Sequence, residues 1–261
     1  MPIKETTMST RILITGATSG MGYQLAVDYL QAGHVVYAAG RNQEALNKLG
    51  RLGAVSICVD LTDYHQVMQA FGDIDALDIV ICCAGVCHYI DITPDTSVSE
   101  PSGCNFGFDG QNIMHTINTN LSTLVFTLEA VLPALTKAQG RVVALGSASA
   151  YVPFARAEGY GSSKAAIHYL MQALQISLKP LDVNVSLAIP GFVETPMTDH
   201  NNFIMPFLQT PKQASLAIRQ GIRNHQQIIA FPKQLTVPLK TLGILPNSVW
   251  QFVSSKLYAN R

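Results

Sequence analysis

A short apolar run, RILIT at residues 11–15, leads into TGATSGMG at residues 15–22 and then into a helical pattern over 23–31 that Gly33 ends. No other feature restricts the fold as much. A strand that turns into a helix through closely spaced glycines makes a βα unit whose main chain can be approached closely. The first N–H groups of that helix have no intrahelical partner and carry the positive end of its dipole, which suits a phosphate. Gly16, Gly20 and Gly22 open the backbone around Met21, and the hydroxyls of Thr18 and Ser19 are placed to bond phosphate oxygens. Strand before and helix after is the context that separates a dinucleotide-binding turn from a chance glycine cluster.

The rest of the chain repeats the alternation. HVVYAAG, AVSICVD, LDIVICCAG, the run that ends at Ser147, VNVSLAIPG and QIIAF read as further strands, with helical stretches between them. The pattern predicts an α/β fold in one domain: a Rossmann-like, doubly wound parallel sheet of about seven strands, helices on both faces and ligands at the strands' carboxyl ends. The expected layout is a polar arm over 1–10 and a catalytic domain over 11–232, followed by an apolar C-terminal extension over 233–261. Within the domain, 86–108 reads as a loop insertion and 192–209 as a substrate loop.

Chemistry is expected between Val142 and Lys164, VVALGSASAYVPFARAEGYGSSK. Tyr160 and Lys164 are four apart in a helical stretch and share a face. A neighbouring ammonium favours the phenolate and is expected to bring a phenol's pKa toward the working range. Ser147 ends a buried strand and is placed to hold a substrate oxygen.

Together the turn TGATSGMG and the set Ser147, Tyr160 and Lys164 resemble the short-chain dehydrogenase/reductase family, over roughly residues 10–232. The resemblance implies an NADP(H)-dependent carbonyl reductase or alcohol dehydrogenase. In it Ser147 and Tyr160 bond the substrate carbonyl, Tyr160 is acid/base, and Lys164 lowers the tyrosine pKa and binds ribose hydroxyls. Asn120, followed by Leu121, matches the family's relay asparagine better than Asn118 does. The resemblance also assigns Asp60 and Leu61 to the adenine end, Ala84 and Gly85 to the ribose side, and Pro190, Gly191, Val193 and Thr195 to the nicotinamide. Family members usually show NNAG where this chain has CCAG, so the loop lacks two bracing amides. The alternative for Asp60 is that it merely precedes a helix cap at Thr62.

The second strand ends at Gly40 and Arg41, where an acid would bind the ribose of NAD and an arginine pairs with the 2′-phosphate of NADP. Gly then Arg, with no acid, resembles the family's NADP-preferring members and favours NADP(H) over NAD(H); the alternative is a solvated Arg41 opening the helix NQEALNKL. Phe203, Ile204, Met205, Phe207 and Leu208 suggest an apolar substrate, or else close onto the core. The insertion shapes substrate access or is a decoration, with His88 read as a surface residue. A non-catalytic, NADP-binding regulatory or scaffold protein of the same fold is the alternative function.

Lys+Arg and Asp+Glu number 17 each, without like-charge blocks, which argues against a nucleic-acid partner. The expected partners are a small-molecule substrate and further copies, as homodimer or homotetramer. The five cysteines lack zinc-type spacing, so no metal is expected; they suit a reducing, cytoplasmic compartment. The N-terminus is polar, without a signal peptide's apolar core, and Met8 is a second candidate start. The tail, broken by Pro238 and Pro246, reads as an extra helix over the site or against a partner subunit; the second reading is peripheral membrane contact through Trp250 and Phe252.

Overall fold

Seven apolar runs become strands: β1 (Arg11–Thr15), β2 (Val35–Gly40), β3 (Val55–Cys58), β4 (Ile79–Cys82), β5 (Arg141–Leu145), β6 (Asn184–Pro190) and β7 (Ile228–Phe231). The computed structural model describes residues 9–92, 108–199, 201 and 203–258. The strands form one parallel sheet in the order β3-β2-β1-β4-β5-β6-β7. Among the described residues eight α-helices accompany them: α1 (Gly20–Gln31), α2 (Gln43–Arg51), α3 (Tyr64–Phe71), α4 (Gly110–Ala138), α5 (Glu158–Ser177), α6 (Pro211–Arg223), α7 (Lys233–Ile244) and α8 (Asn247–Tyr258).

Side chains alternate across each strand, and both faces are apolar, as a sheet covered on both sides requires. Leu13, Val80, Val142 and Leu187 point to the layer of α3, α4 and α5, where Phe71, Leu128, Leu135 and Met171 meet them. Ile12, Ile14, Val36, Ile81 and Val143 point the other way, onto Leu25, Leu46, Leu49 and Ile218 of α1, α2 and α6. Ile12, Leu13 and Ile14 are fully buried, each contributing roughly 1.5–3 kcal/mol. The register sets Thr15 opposite Ala39 and Cys82, and Ala144 opposite Cys82 and Leu187, so the strands end on one rim. The strand order reverses between β1 and β4, which places the binding crevice at that rim.

Several local expectations hold. Thr210 caps α6 in a capping box with Gln213, and Pro211 opens it. Others are corrected. The cap of α3 is Asp63, whose side chain accepts from Gln66 N at 3.1 Å, not Thr62. Asp60 instead accepts from Thr62 N at 2.9 Å and Thr62 Oγ1 at 2.7 Å, an Asx turn before the helix. Pro238 does not break the tail: α7 runs through it, and only Pro246 separates α7 from α8. Pro238 lies in the second turn, so few intrahelical bonds are at stake. Residues 1–8 of the arm, 93–107 of the insertion with Cys104, and 259–261 of the tail lie outside the described residues.

Candidate active site

The β1–α1 turn is built around absent side chains. Gly16 has φ +65°, and a Cβ there would lie 2.7 Å from Ala84 N. A Cβ at Gly22 would lie 2.3 Å from Gly16 O. Only glycine fits either place without moving backbone. Ser19 is the N-cap of α1 but makes no side-chain cap, whereas Asn42, Asp63, Asp109 and Thr210 cap their helices with side chains. The leading N–H groups of α1 are therefore left for a ligand.

A cleft of about 470 Å³ opens from this turn. Its walls include Thr18, Ser19, Gly20 and Met21, then Arg41, Asp60 and Leu61, then Ala84, Gly85 and Thr195. Pro190 closes β6, with Gly191 beside it; Val193 is buried and bridged to Gln209, so these three lie beyond the cleft lining. Arg41 is 73% exposed in its side chain, with Nη1 3.7 Å from Asp60 Oδ2. Its bonds to Thr62, and then Arg41, hold the Asp60 carboxyl below the usual range. At 3.7 Å the pair is too long for a tight bidentate bond, so the guanidinium fork remains available. The cradle, the uncapped helix and the exposed arginine fit a dinucleotide carrying an extra phosphate. His115, Thr119 and Ser122 of α4 also line the cleft and were not anticipated from sequence; Asn118, weighed there against Asn120 for the relay position, lines it as well.

At the next strand ends the structure brings Ser147, Tyr160, Lys164 and Asn120 together. Ser147 follows β5, is 8% exposed, and its Oγ accepts from Ser149 N at 3.1 Å and Ser149 Oγ at 2.9 Å. Lys164 is buried on α5; its Nζ donates to Leu145 O at 2.9 Å and stands 5.6 Å from the Tyr160 ring centroid. Burial lowers its pKa to about 8. Tyr160 departs from expectation: burial pushes its phenol up, the Cys87 thiol adds to this, and only the Ser147 hydroxyl pulls it back. Lys164 is tied to a carbonyl beneath the ring, so it does not offset the desolvation. The phenol is held protonated, in its proton-donating form.

Asn120 of α4, 1% exposed, binds the loop that follows CCAG. Its Oδ1 accepts from Val86 N at 2.7 Å, and its Nδ2 donates to Val86 O at 3.0 Å and Ser163 Oγ at 2.8 Å. Ser163 Oγ in turn donates to Tyr160 O at 2.7 Å. One amide thus braces the loop after β4 from outside and ties it to the helix of Tyr160. Cys82 and Cys83 are free thiols; burial raises both, Cys82 to about 12.

His168 was not anticipated. It is eight residues beyond Tyr160 on α5, is 8% exposed, and its Nε2 accepts from Ser147 N at 3.3 Å. A Cβ on Gly146 would lie 2.4 Å from that nitrogen, so ring and strand end are in close contact. Burial lowers its pKa to about 4, which keeps the acceptor lone pair free. Its spacing from Lys164, one helical turn, is the signal that could have found it. His168→Leu is expected to lower kcat about tenfold by loosening Ser147 while cofactor affinity holds, and His168→Gln, which keeps an acceptor, to recover much of it. Steady-state kinetics of the two variants checks this.

Aromatic rings gather where the segments after β4 and β6 meet. Tyr89 and Phe192 both meet Phe203 edge-on, at centroid distances of 6.0 and 5.9 Å, and Cys87 hydrogen-bonds to Tyr89. Ile204, Phe207 and Leu208 are exposed and do not close onto the core. His88 is exposed, with Nδ1 3.0 Å from Thr116 Oγ1. The tail packs behind the segment between Ser147 and Tyr160: Trp250 Nε1 donates to Pro153 O at 2.6 Å, its ring meets Phe154, and Gly243 lies against Tyr151 O. Trp250 is 4% exposed and so unavailable to a membrane surface; of the two aromatics only Phe252 faces outward.

A family model described as short chain dehydrogenase matches residues 10–203. An uncharacterized oxidoreductase of Myxococcus xanthus (strain DK1622) is 30% identical over 256 residues, covering 94% of this chain and 96% of its own. The 11-beta-hydroxysteroid dehydrogenase A of Sesamum indicum is 28% identical over 201 residues, 72% of this chain and 53% of that one. Among solved structures, a short chain dehydrogenase from Burkholderia cenocepacia J2315 in complex with NADP superposes with a TM-score of 0.79 at 21% identity, over 96% of this chain and 98% of that one.

Proposed function

The chain belongs to the short-chain dehydrogenase family and is an oxidoreductase of the nicotinamide-dependent kind, and from that premise we propose that it is an NADP(H)-dependent carbonyl reductase or alcohol dehydrogenase for an apolar substrate. The observation that carries the reading is the convergence of Ser147, Tyr160 and Lys164 beside a cleft whose turn leaves the α1 amides uncapped.

The nicotinamide, when bound, supplies or takes up the hydride. Gly16 to Gly22 and the start of α1 would hold the pyrophosphate, and Arg41 would hold the 2′-phosphate. Ser147 and Tyr160 donate hydrogen bonds to the carbonyl oxygen, polarising it where negative charge develops. Tyr160, kept protonated by burial, gives its proton to that oxygen as the alkoxide forms. Lys164, its Nζ 5.6 Å from the ring centroid, does not ionise the resting phenol, and its positive charge acts on the phenolate only once the proton has left. Asn120 positions Tyr160 by fixing Val86 and Ser163. The aromatic surface of Tyr89, Phe192 and Phe203 supports an apolar substrate.

The test is NADPH oxidation followed by absorbance over aldehydes, aliphatic and cyclic ketones and 3-oxoacyl thioesters. Turnover of at least one class is expected; NADPH binding without turnover of any of them would count against the reading. Arg41→Ala is expected to weaken NADPH about tenfold or more while leaving NADH nearly unchanged, since a bidentate arginine–phosphate bond is lost. An unchanged preference would move the phosphate site elsewhere.

A further inference from the structure

The opposite end of the sheet carries a second polar cleft, of about 580 Å³, where β5 and β6 begin and just before β7. At its floor is Arg141, the first residue of β5, only 6% exposed. Its Nη1 donates to Ser186 Oγ at 2.8 Å, and its Nη2 lies 2.8 Å from His225 Nδ1. Among the described residues Arg141 has no carboxylate in ion-pair contact. Burial lowers its pKa with no acid acting against that shift. A guanidinium half withdrawn from water without a counter-charge carries a cost that an anion in the cleft would relieve.

The surroundings are donors. Arginine only donates, so His225 Nδ1 is the acceptor in this contact and Nε2 is left as the donor. Lys179, Gln139, Gln175, Asn184 and Gln227 complete the polar lining. Asp182 is the cleft's one carboxylate and accepts from Gln139 Nε2 at 3.4 Å. Two cations and one anion leave the lining at +1. Gln139, Asp182 and His225 have φ of 49°, 54° and 53°, at the turns feeding β5, β6 and β7, where glycine would be unstrained. At all three turns a side chain lines the cleft instead.

We propose that this cleft is an anion site, separate from the dinucleotide cleft, that takes a small free oxyanion of the phosphate type. Arg141 meets two oxygens with its fork, Lys179 adds charge at the rim, and His225 Nε2–H and the amides bond the remaining oxygens.

The test is a titration of the full chain with inorganic phosphate, against sodium chloride at matched ionic strength, read by amide shifts in nuclear magnetic resonance. Saturable shifts are expected at Gln139, Asn184 and Gln227 with phosphate and not chloride. Arg141→Met is expected to weaken binding about tenfold or more, and Lys179→Gln about threefold. Lys179 is exposed, so its variant gives the reading even if Arg141→Met fails to fold. Shifts confined to Gly16–Gly22, equal shifts with chloride, or Lys179→Gln binding as tightly as wild type would each overturn the proposal. Carbonyl turnover is not the readout, so the outcome is independent of the proposed activity.

Discussion

Tyr160→Phe is expected to bind NADPH as wild type does and to turn over carbonyl substrates at least about 10²-fold more slowly. The substitution keeps the ring that stands over Lys164 and removes only the hydroxyl bonded to Ser147. Packing on α5 and the Ser163 bond to the main-chain carbonyl of residue 160 are untouched, so the fold survives. Under the proposed mechanism the variant loses the proton that neutralises the developing alkoxide, a transition-state contribution that lowers kcat without raising the cofactor's dissociation constant. Steady-state NADPH oxidation paired with fluorescence titration of NADPH separates the two quantities. A variant as active as wild type would remove Tyr160 from the chemistry.

The second large effect is on stability. Asn120→Ala removes three hydrogen bonds from a side chain 1% exposed. Val86 N–H, Val86 C=O and Ser163 are left without that partner, and unmet buried polar groups cost roughly 1–3 kcal/mol each. A total near 4 kcal/mol would lower Tm by roughly 8–16 °C in a chain of this size. Activity measured well below the new Tm is also expected to fall, because the same amide links the β4 loop to the helix of Tyr160. Scanning calorimetry and low-temperature kinetics on one preparation give both numbers; an unchanged Tm would show the clamp to be dispensable.

The parts of the molecule visible in its sequence are those whose physics is local. The glycine turn, the Tyr160–Lys164 spacing and the Thr210–Pro211 helix start each lie within a few residues, and a strand or helix period is enough to interpret them. The seven-strand parallel sheet followed from the same local alternation. What escaped depends on contacts across the fold. His168 carries the right spacing, but its bond to Ser147 exists only because α5 lies against the end of β5. The expected action of Lys164 on Tyr160 assumed a solvent-like setting, and burial reverses the direction. Asn120 holds the loop after β4 from a helix 34 residues away from Val86. Trp250 looked like an interfacial aromatic because nothing near it in sequence announces Pro153.

That last contact also sets an order of events. Pro153 and Trp250 are 97 residues apart, and β7 is complete by Phe231. A chain emerging from the ribosome can therefore finish all seven strands, and the turn for the dinucleotide, before the segment joining Ser147 to Tyr160 gains its outer support. Domains assemble as their residues emerge, N-terminal parts first. The cleft at the glycine turn can thus take shape, during synthesis, before the packing of Trp250 onto Pro153 is complete.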